Sequence, residues 1–289
     1  MASTLQNHLS WRDLEFCVKK YTHYGDTGAH QHEFCELVFV YSGEAYHRIG
    51  ENLYRIQAGD LFTIPPGFVH NYQDSSMQIY NILFSETFQK NLPSEFSEFA
   101  NYQLLFHASP EIPLPQRILS LDSSYFSEMT RLLDGIIEEE ARKETGSKTA
   151  VFSASLNVFL MICRHSRFAG NEEKPYIVHR ITSLMAELET HYGEDWSLKK
   201  MADHVGMSVS GFRQQFKMIT GKSPVDYLIR LRIKKASEML LMRRNSIAEI
   251  GFVCGFRDSN YFSRIFCRIT GMTPRECRAG RRSGGIMFP

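Results

Sequence analysis

Residues 197 to 278 carry one helix-turn-helix pattern twice, and this tandem repeat constrains the fold more than any other feature of the 289-residue chain. The first copy begins Ser197-Leu198-Lys199-Lys200-Met201-Ala202 and turns at Gly206. The second begins Ser246-Ile247-Ala248-Glu249-Ile250-Gly251 and turns at Gly255. Register holds from Leu198/Ile247 to Gly206/Gly255, slips by one residue, and resumes at Phe212/Phe262, Phe216/Phe266 and Gly221/Gly271. Ser197 and Ser246 stand at N-cap positions, and Ser246 with Glu249 has the spacing of a capping box, which satisfies otherwise unpaired backbone donors. Gly206 and Gly255 fall where a tight turn between two helices needs a positive φ. Ser223-Pro224 and Thr273-Pro274 each read as an N-cap with proline at the first helical position, so a further helix follows each copy.

In each second helix two phenylalanines four residues apart, Phe212/Phe216 and Phe262/Phe266, share the buried face. The polar residues between them then point outward: Ser210, Arg213, Gln214 and Lys217 in the first copy, Ser259, Asn260, Ser263, Arg264 and Arg268 in the second. Arginine matches guanine edges, and asparagine or glutamine matches adenine. Arg213, Gln214, Asn260 and Arg264 are therefore the expected base readers, while Lys217, Lys222 and Arg268 suit phosphate. A helix expected from Pro224 to about Met242 separates the copies. At about 1.5 Å per residue it is about 27 Å long, which suits two reading helices near one DNA turn of about 34 Å apart. Its stripe Leu228, Leu231, Ala236 and Met239 would be buried, leaving Arg230, Lys234, Lys235, Arg243 and Arg244 for solvent or phosphate.

A helical bundle without nucleic acid would explain the repeat alone; the charge distribution argues against it. From Pro175 to Pro289 there are 19 Lys+Arg against 10 Asp+Glu, a net of +9; from Met1 to Lys174 there are 14 against 22, a net of −8. The near-neutral whole hides two oppositely charged parts, and the basic one coincides with the motif, as phosphate binding requires. The run Ile250-Gly251-Phe252-Val253-Cys254-Gly255-Phe256-Arg257-Asp258-Ser259-Asn260-Tyr261-Phe262-Ser263-Arg264-Ile265-Phe266, followed by Gly271-Met272-Thr273-Pro274, resembles the signature of the AraC/XylS family of bacterial transcription regulators. Residues 190 to 278 resemble its DNA-binding domain. Gly251 stands where alanine is usual and Cys277 where an aromatic is usual, departures expected to loosen local packing without touching the reading face.

The first 174 residues are a different object. Leu37–Tyr41, Tyr46–Ile49, Leu61–Ile64 and Ile79–Phe84 read as short strands punctuated by glycine, spaced as in a small barrel. His30-Gln31-His32 and Glu36 precede Gly43, and Gly59 to Pro65-Pro66-Gly67-Phe68-Val69-His70 follows. The segments Gly25–Gly43 and Gly59 to about Asp74 resemble the two motifs of the cupin barrel, with Asp74 where the second motif usually ends in asparagine. On alternating positions His30, His32 and Glu36 share parity and point to one side. With His70 they are similar to the four-ligand set of metal-containing cupins, a donor set that suits a divalent ion. Three readings stay open: an organic-ligand pocket, a metal site, or a polar packing network. The first assigns His30, His32, Glu36, Tyr46 and His70 to an effector, with Phe34, Tyr41, His47, Tyr72 and Tyr80 as further lining candidates and no resident cofactor. The second gives His30, His32, Glu36 and His70 to a metal.

Two amphipathic stretches follow, one with Met129, Leu132, Leu133, Ile136 and Ile137, the other with Phe152, Leu156, Phe159, Leu160 and Cys163. In the resembled family such helices make a homodimer. Six cysteines without CxxC spacing read as reduced core residues, and neither a secretory h-region nor a membrane-length apolar run is present. The expected fold is α+β and multidomain: a cupin-like barrel (1–120), a helical dimerisation region (121–170), a linker (171–180), an all-α domain of two helix-turn-helix motifs joined by a helix (181–280), and a basic disordered tail (281–289). The resemblance implies a cytoplasmic, sequence-specific regulator rather than an enzyme. It would bind double-stranded promoter DNA, contact RNA polymerase, and activate carbohydrate uptake or catabolism genes in response to a sugar. A metal-dependent cupin enzyme and a metal-responsive regulator are the competing classes.

Overall fold

The computed structural model describes residues 15–110, 112–168, 177–242 and 245–279. The expected tail 281–289, most of the linker, and Arg243 and Arg244 lie outside them. The chain forms two compact units, Met1–Thr182 and Ser183–Pro289.

The first unit is built on strands β1 (Phe16–Gly25), β2 (Cys35–Ile49), β3 (Asn52–Gln57), β4 (Asp60–Ile64), β5 (His70–Phe84), β6 (Leu119–Leu121) and β7 (Ser166–Phe168). Among the described residues they form one antiparallel sheet in the order β1-β5-β2-β4-β6-β7, with β3 paired to β2, so the cupin-like sheet is open rather than closed into a ring. Helices α1 (Glu86–Lys90), α2 (Ala100–Phe106), α3 (Phe126–Arg142) and α4 (Ser147–His165) accompany it. One face of the sheet packs on itself through Val38, Val40, Ile56, Phe62, Met77 and Ile79. The other is covered by the helices: Phe39 meets Phe126 of α3 edge-on at 5.6 Å, and Phe84 meets Phe159 of α4 at 5.7 Å. Strands buried on both faces read as continuous apolar runs, as in Leu37-Val38-Phe39-Val40.

A bulge decides which residues of β2 face inward. Val40 pairs with Ile79 but Ser42 with Gln78, so β2 carries one extra residue at Tyr41. One extra residue inverts every later side chain. Before it Glu36, Val38 and Val40 face in; after it Ala45, His47 and Ile49 do. Further along the same ladder, β5 bulges in turn and Asp74 adopts φ +45°, a left-handed conformation that aspartate tolerates.

The second unit is helical: it takes up the chain within α5 (Ile177–His191), at Ser183, and continues with α6 (Leu198–His204), α7 (Val209–Thr220), α8 (Pro224–Met242), α9 (Ile247–Val253), α10 (Ser259–Thr270) and α11 (Pro274–Arg278). The caps fall where the sequence places them. Ser197 Oγ accepts from the Lys200 backbone N–H, the Ser246–Glu249 capping box is complete, and Thr273 forms a second one with Glu276. Gly206 and Gly255 have φ of +62° and +82°. Gly251 tightens the second copy rather than loosening it. A Cβ there would stand 2.9 Å from Phe262 Cδ1, so its absence lets the ring close onto α9, and Cys277 is buried in the same core.

One basic residue of α8 departs from its expected solvent role, and another, which the sequence reading left unassigned, turns inward. Lys235 is buried and pairs with Glu189 of α5 at 3.1 Å, because it falls on the stripe that faces α5. Arg232 donates to the carbonyls of Tyr192 (2.8 Å), Gly255 (3.0 Å) and Glu194 (2.7 Å), pinning the second turn to α8 and to the segment before α6. All six cysteines are free; Cys267 is exposed and not a core residue.

Candidate functional site

The exposed faces of α7 and α10 follow from helical periodicity. Phe212, Phe216 and Ile219 are buried on α7, and Phe262, Ile265 and Phe266 on α10. The opposite faces expose Ser210, Arg213, Gln214 and Lys217 on α7, and Ser259, Asn260, Arg264 and Arg268 on α10. Ser263 is half-buried and donates to the Ser259 carbonyl at 2.9 Å. Arg264 lies over the Tyr261 ring at 5.6 Å, which holds its guanidinium outward from α10. Arg213, Lys217 and Arg268 form no ion pair among the described residues, while Arg257 is paired to Asp195 at 2.9 Å. Both helices begin with a side-chain cap, Ser208 on the Gly211 N–H and Asp258 on the Tyr261 N–H. The second unit thus presents two capped, amphipathic helices whose free cations and amides point away from the core.

The first unit holds a cavity of about 220 Å³ at the open side of the sheet, walled by Tyr21, His23 and Thr27 from β1 and its exit, Phe34 and Glu36, His32 and His70, and Tyr72, Asn81 and Leu83 from β5. His30 and His32 do not lie on a strand with Glu36, since β2 begins at Cys35. They sit on the segment before it, which is anchored by the paired backbone bonds between His30 and His70 at 3.0 and 2.9 Å. His32, Glu36 and His70 are buried and converge, one donor atom from each lying within 4.8 Å of the others. His30 is exposed at the rim, its ring packed on His70 at 4.3 Å between centroids and its Nδ1 donating to the Gly28 carbonyl.

Tyr46 is placed elsewhere. The Tyr41 bulge turns it to the outer face, 41% exposed and outside the cavity wall, and His47 takes the inward position. His47 is fully buried, its ring packed at a tilt against Phe62 and Tyr72, and neither ring nitrogen has a hydrogen-bond partner among the described residues. Tyr41 and Tyr80 belong to the outer face, where the Tyr80 hydroxyl donates to Asp134 and Lys20 lies over both rings. Tyr21, His23, Thr27, Asn81 and Leu83 were not among the sequence candidates; their signal is the alternation of β1 and β5, readable only once both bulges are known.

Electrostatics sharpen this site. Burial pushes the His70 imidazole down to about 4 and holds His47 well below its ordinary value, so both rings are neutral near pH 7. Burial works against the Glu36 carboxylate, yet His32, His70 and His30 outweigh it and hold the group below the usual carboxylate range. The Tyr72 hydroxyl is buried without a partner and burial raises it well above its usual value. An ionised carboxylate and the neutral His70 imidazole, beside aromatic faces, can orient a polar small molecule.

Among the described residues no helix is long and apolar enough to cross a membrane. Residues 15–153 match the AraC-like ligand binding domain, and residues 201–280 match a helix-turn-helix domain. The HTH-type transcriptional activator RhaR of Cronobacter sakazakii is 31% identical over 250 residues, covering 86% of each chain. The HTH-type transcriptional activator RhaS of Escherichia fergusonii is 29% identical over 255 residues, covering 87% of each. A solved transcriptional regulator with an AraC-type DNA-binding domain, from Chromobacterium violaceum, is 32% identical over 37% of this chain and 95% of its own, with a TM-score of 0.34. Relatives of this kind are transcriptional activators, not enzymes. By the match to both domains and to 86% of the RhaR chain, the protein belongs to the AraC/XylS family of DNA-binding transcription regulators.

Proposed function

We propose that this regulator activates carbohydrate uptake or catabolism genes when a small sugar occupies the cavity of its first unit. The observation that carries the reading is the cavity itself. Its buried His32, Glu36, His70 and Tyr72 lie beside the Phe34 ring, the pairing of polar groups and aromatic faces that suits a polyol. At about 220 Å³ it is smaller than the roughly 300–1,000 Å³ of drug-sized sites, which favours a monosaccharide over a long chain. Arg213, Gln214, Asn260 and Arg264 read bases, while Lys217 and Arg268 position phosphates. Effector and promoter are coupled by no more than the effector's differential affinity for the DNA-binding and idle states. Two further partners belong to this reading. RNA polymerase is held at the promoter, and a second copy packs on α3 and α4, where Leu132, Ile137 and Leu160 are only half-buried. A sedimentation run that finds a monomer at every concentration would remove the homodimer.

The test is thermal unfolding against a panel of pentoses, deoxyhexoses and disaccharides, paired with promoter footprinting. A ligand that binds only the folded chain stabilises it by about 2.7 kcal/mol at a hundredfold excess over its Kd. A shift with one sugar, and a footprint that changes with the same sugar, is the expected result. A panel without any shift overturns the sugar effector.

A further inference from the structure

A second cavity, of about 300 Å³, lies wholly within the DNA-binding unit, between its two copies. Helix α8 lines it with Val225, Leu228 and Ile229, the segment before α6 with Trp196, and the second copy with Phe256 and Tyr261. The Phe256 and Tyr261 rings stand 6.2 Å apart. The Trp196 indole N–H is already spent on the His191 carbonyl at 2.9 Å, so its ring adds apolar surface. Three aromatic side chains around such a volume suit a flat apolar body.

One wall of the cavity is charged. Arg232 lines it, half-buried, and its bonds to the Tyr192, Gly255 and Glu194 carbonyls use three of a guanidinium's five N–H donors. No carboxylate pairs with it among the described residues, and Asp195, whose charge it feels, is paired with Arg257 at 2.9 Å. Carbonyls satisfy donors without cancelling charge, and burial lowers the Arg232 pKa accordingly. The missing group is an anion, and a carboxylate is the one whose two oxygens match the two remaining donors.

We propose that this cavity is a second ligand site, that it takes an aromatic carboxylate, and that its occupation weakens promoter binding. The wall opposite α8 is the start of α10: Asp258 caps that helix on the Tyr261 N–H, and Arg264 lies over the Tyr261 ring. An occupant pressed on Tyr261 bears on the base reader stacked above it. Its negative charge also stands beside cations that would otherwise favour phosphate. The site belongs to the other unit from the sugar cavity and does not rest on the sugar reading.

Trp196 is one of two tryptophans, so Trp11→Phe leaves its fluorescence as a local reporter in the full-length chain. The probes are biphenyl-4-carboxylate and its uncharged amide. The acid should quench Trp196 saturably, and the amide should bind about tenfold more weakly, the loss expected for one charged hydrogen bond. Val225 is 45% exposed, and Val225→Phe narrows the cavity from its rim. That variant should bind the acid about tenfold more weakly while melting and footprinting like its parent. Saturating acid should weaken the promoter footprint about threefold or more, and saturating promoter should weaken the acid by the same factor. Quenching that never saturates, equal affinity for acid and amide, or undiminished binding in Val225→Phe would overturn the site. The acid–amide comparison, made with the cavity unaltered, decides the charge independently of that variant. A footprint that saturating acid leaves unchanged would overturn the coupling to DNA.

Discussion

The two units differ in where their unpartnered buried polar atoms gather. In the DNA-binding unit Lys235 meets Glu189, and Arg232 spends its guanidinium on three carbonyls. In the effector unit His32, His47, His70 and Tyr72, all near one cavity, each bury a nitrogen or oxygen atom without a hydrogen-bond partner among the described residues. Folding alone favours the first arrangement, since an unsatisfied buried polar atom costs about 1–3 kcal/mol. Tolerating several in one small region makes sense where another molecule supplies the missing partner. The interior that looks less well made is the one built to receive something.

The largest expected effect tests the paired interior. Glu189→Ala leaves the Lys235 ammonium buried and alone, and should cost about 3 kcal/mol in denaturant unfolding of the full chain. Replacing Lys235 by Met in the same variant should recover most of it. A loss well under 1 kcal/mol from the single change would mean that pairing does not hold this unit, and the contrast would fail.

The unpaired interior has its own signature in pH. Glu140 of α3 is buried under β1, and burial, opposed by Lys19 and by the Val18 backbone N–H, raises its carboxyl to about 7. An acid whose folded pKa lies above its unfolded value binds the proton more tightly when folded. Its contribution is complete below about 4.5 and is lost as pH rises through about 7. Relative to Glu140→Gln, the natural chain should lose on the order of 2 kcal/mol across that window. Parallel melting curves for the two chains from pH 4.5 to 7.5 would place the carboxyl back among ordinary surface acids.

On the exposed face of α10, Arg264→Ala should weaken binding to the cognate promoter by about 1–3 kcal/mol and relax preference at one base pair. Equal weakening of cognate and scrambled DNA in footprints would reassign Arg264 to phosphate. The smallest expected effect concerns the tight seat of Phe262. Gly251→Ala gains helix propensity but pushes a methyl to 2.9 Å from a fully buried ring, for a net loss of about 1 kcal/mol. A rise in Tm would show that the α9–α10 contact has slack.

The repeat was the most legible part of the chain, because caps, turn glycines and paired phenylalanines are local signals read within a few residues of each other. Ser197, Ser246, Gly206 and Gly255 adopt the conformations their spacing requires. The cavity was legible in its residue types but not in its directions. One inserted residue at Tyr41 exchanges Tyr46 for His47, and nothing in the local alternation announces a bulge. Lys235 was misjudged for a related reason: a basic residue on an amphipathic helix reads as solvent-facing until its partner, more than forty residues away in sequence, is known. The wall residues Tyr21 and His23 depend on the pairing of β1 with β5, a contact between strands more than fifty residues apart.

Arg232 also gives α8 the character of a ruler with a fixed zero. Its guanidinium gathers the turn of the second copy, the linking helix and the segment entering the first copy at one point, bonds that resist independent sliding of the two copies. DNA winds by about 35° per base pair. If α7 and α10 read two sub-sites of one duplex, a base pair inserted between them turns the second out of phase with α10, and a stiff linker would follow it poorly. Operators for this protein would evolve by changing letters, and seldom by changing spacing.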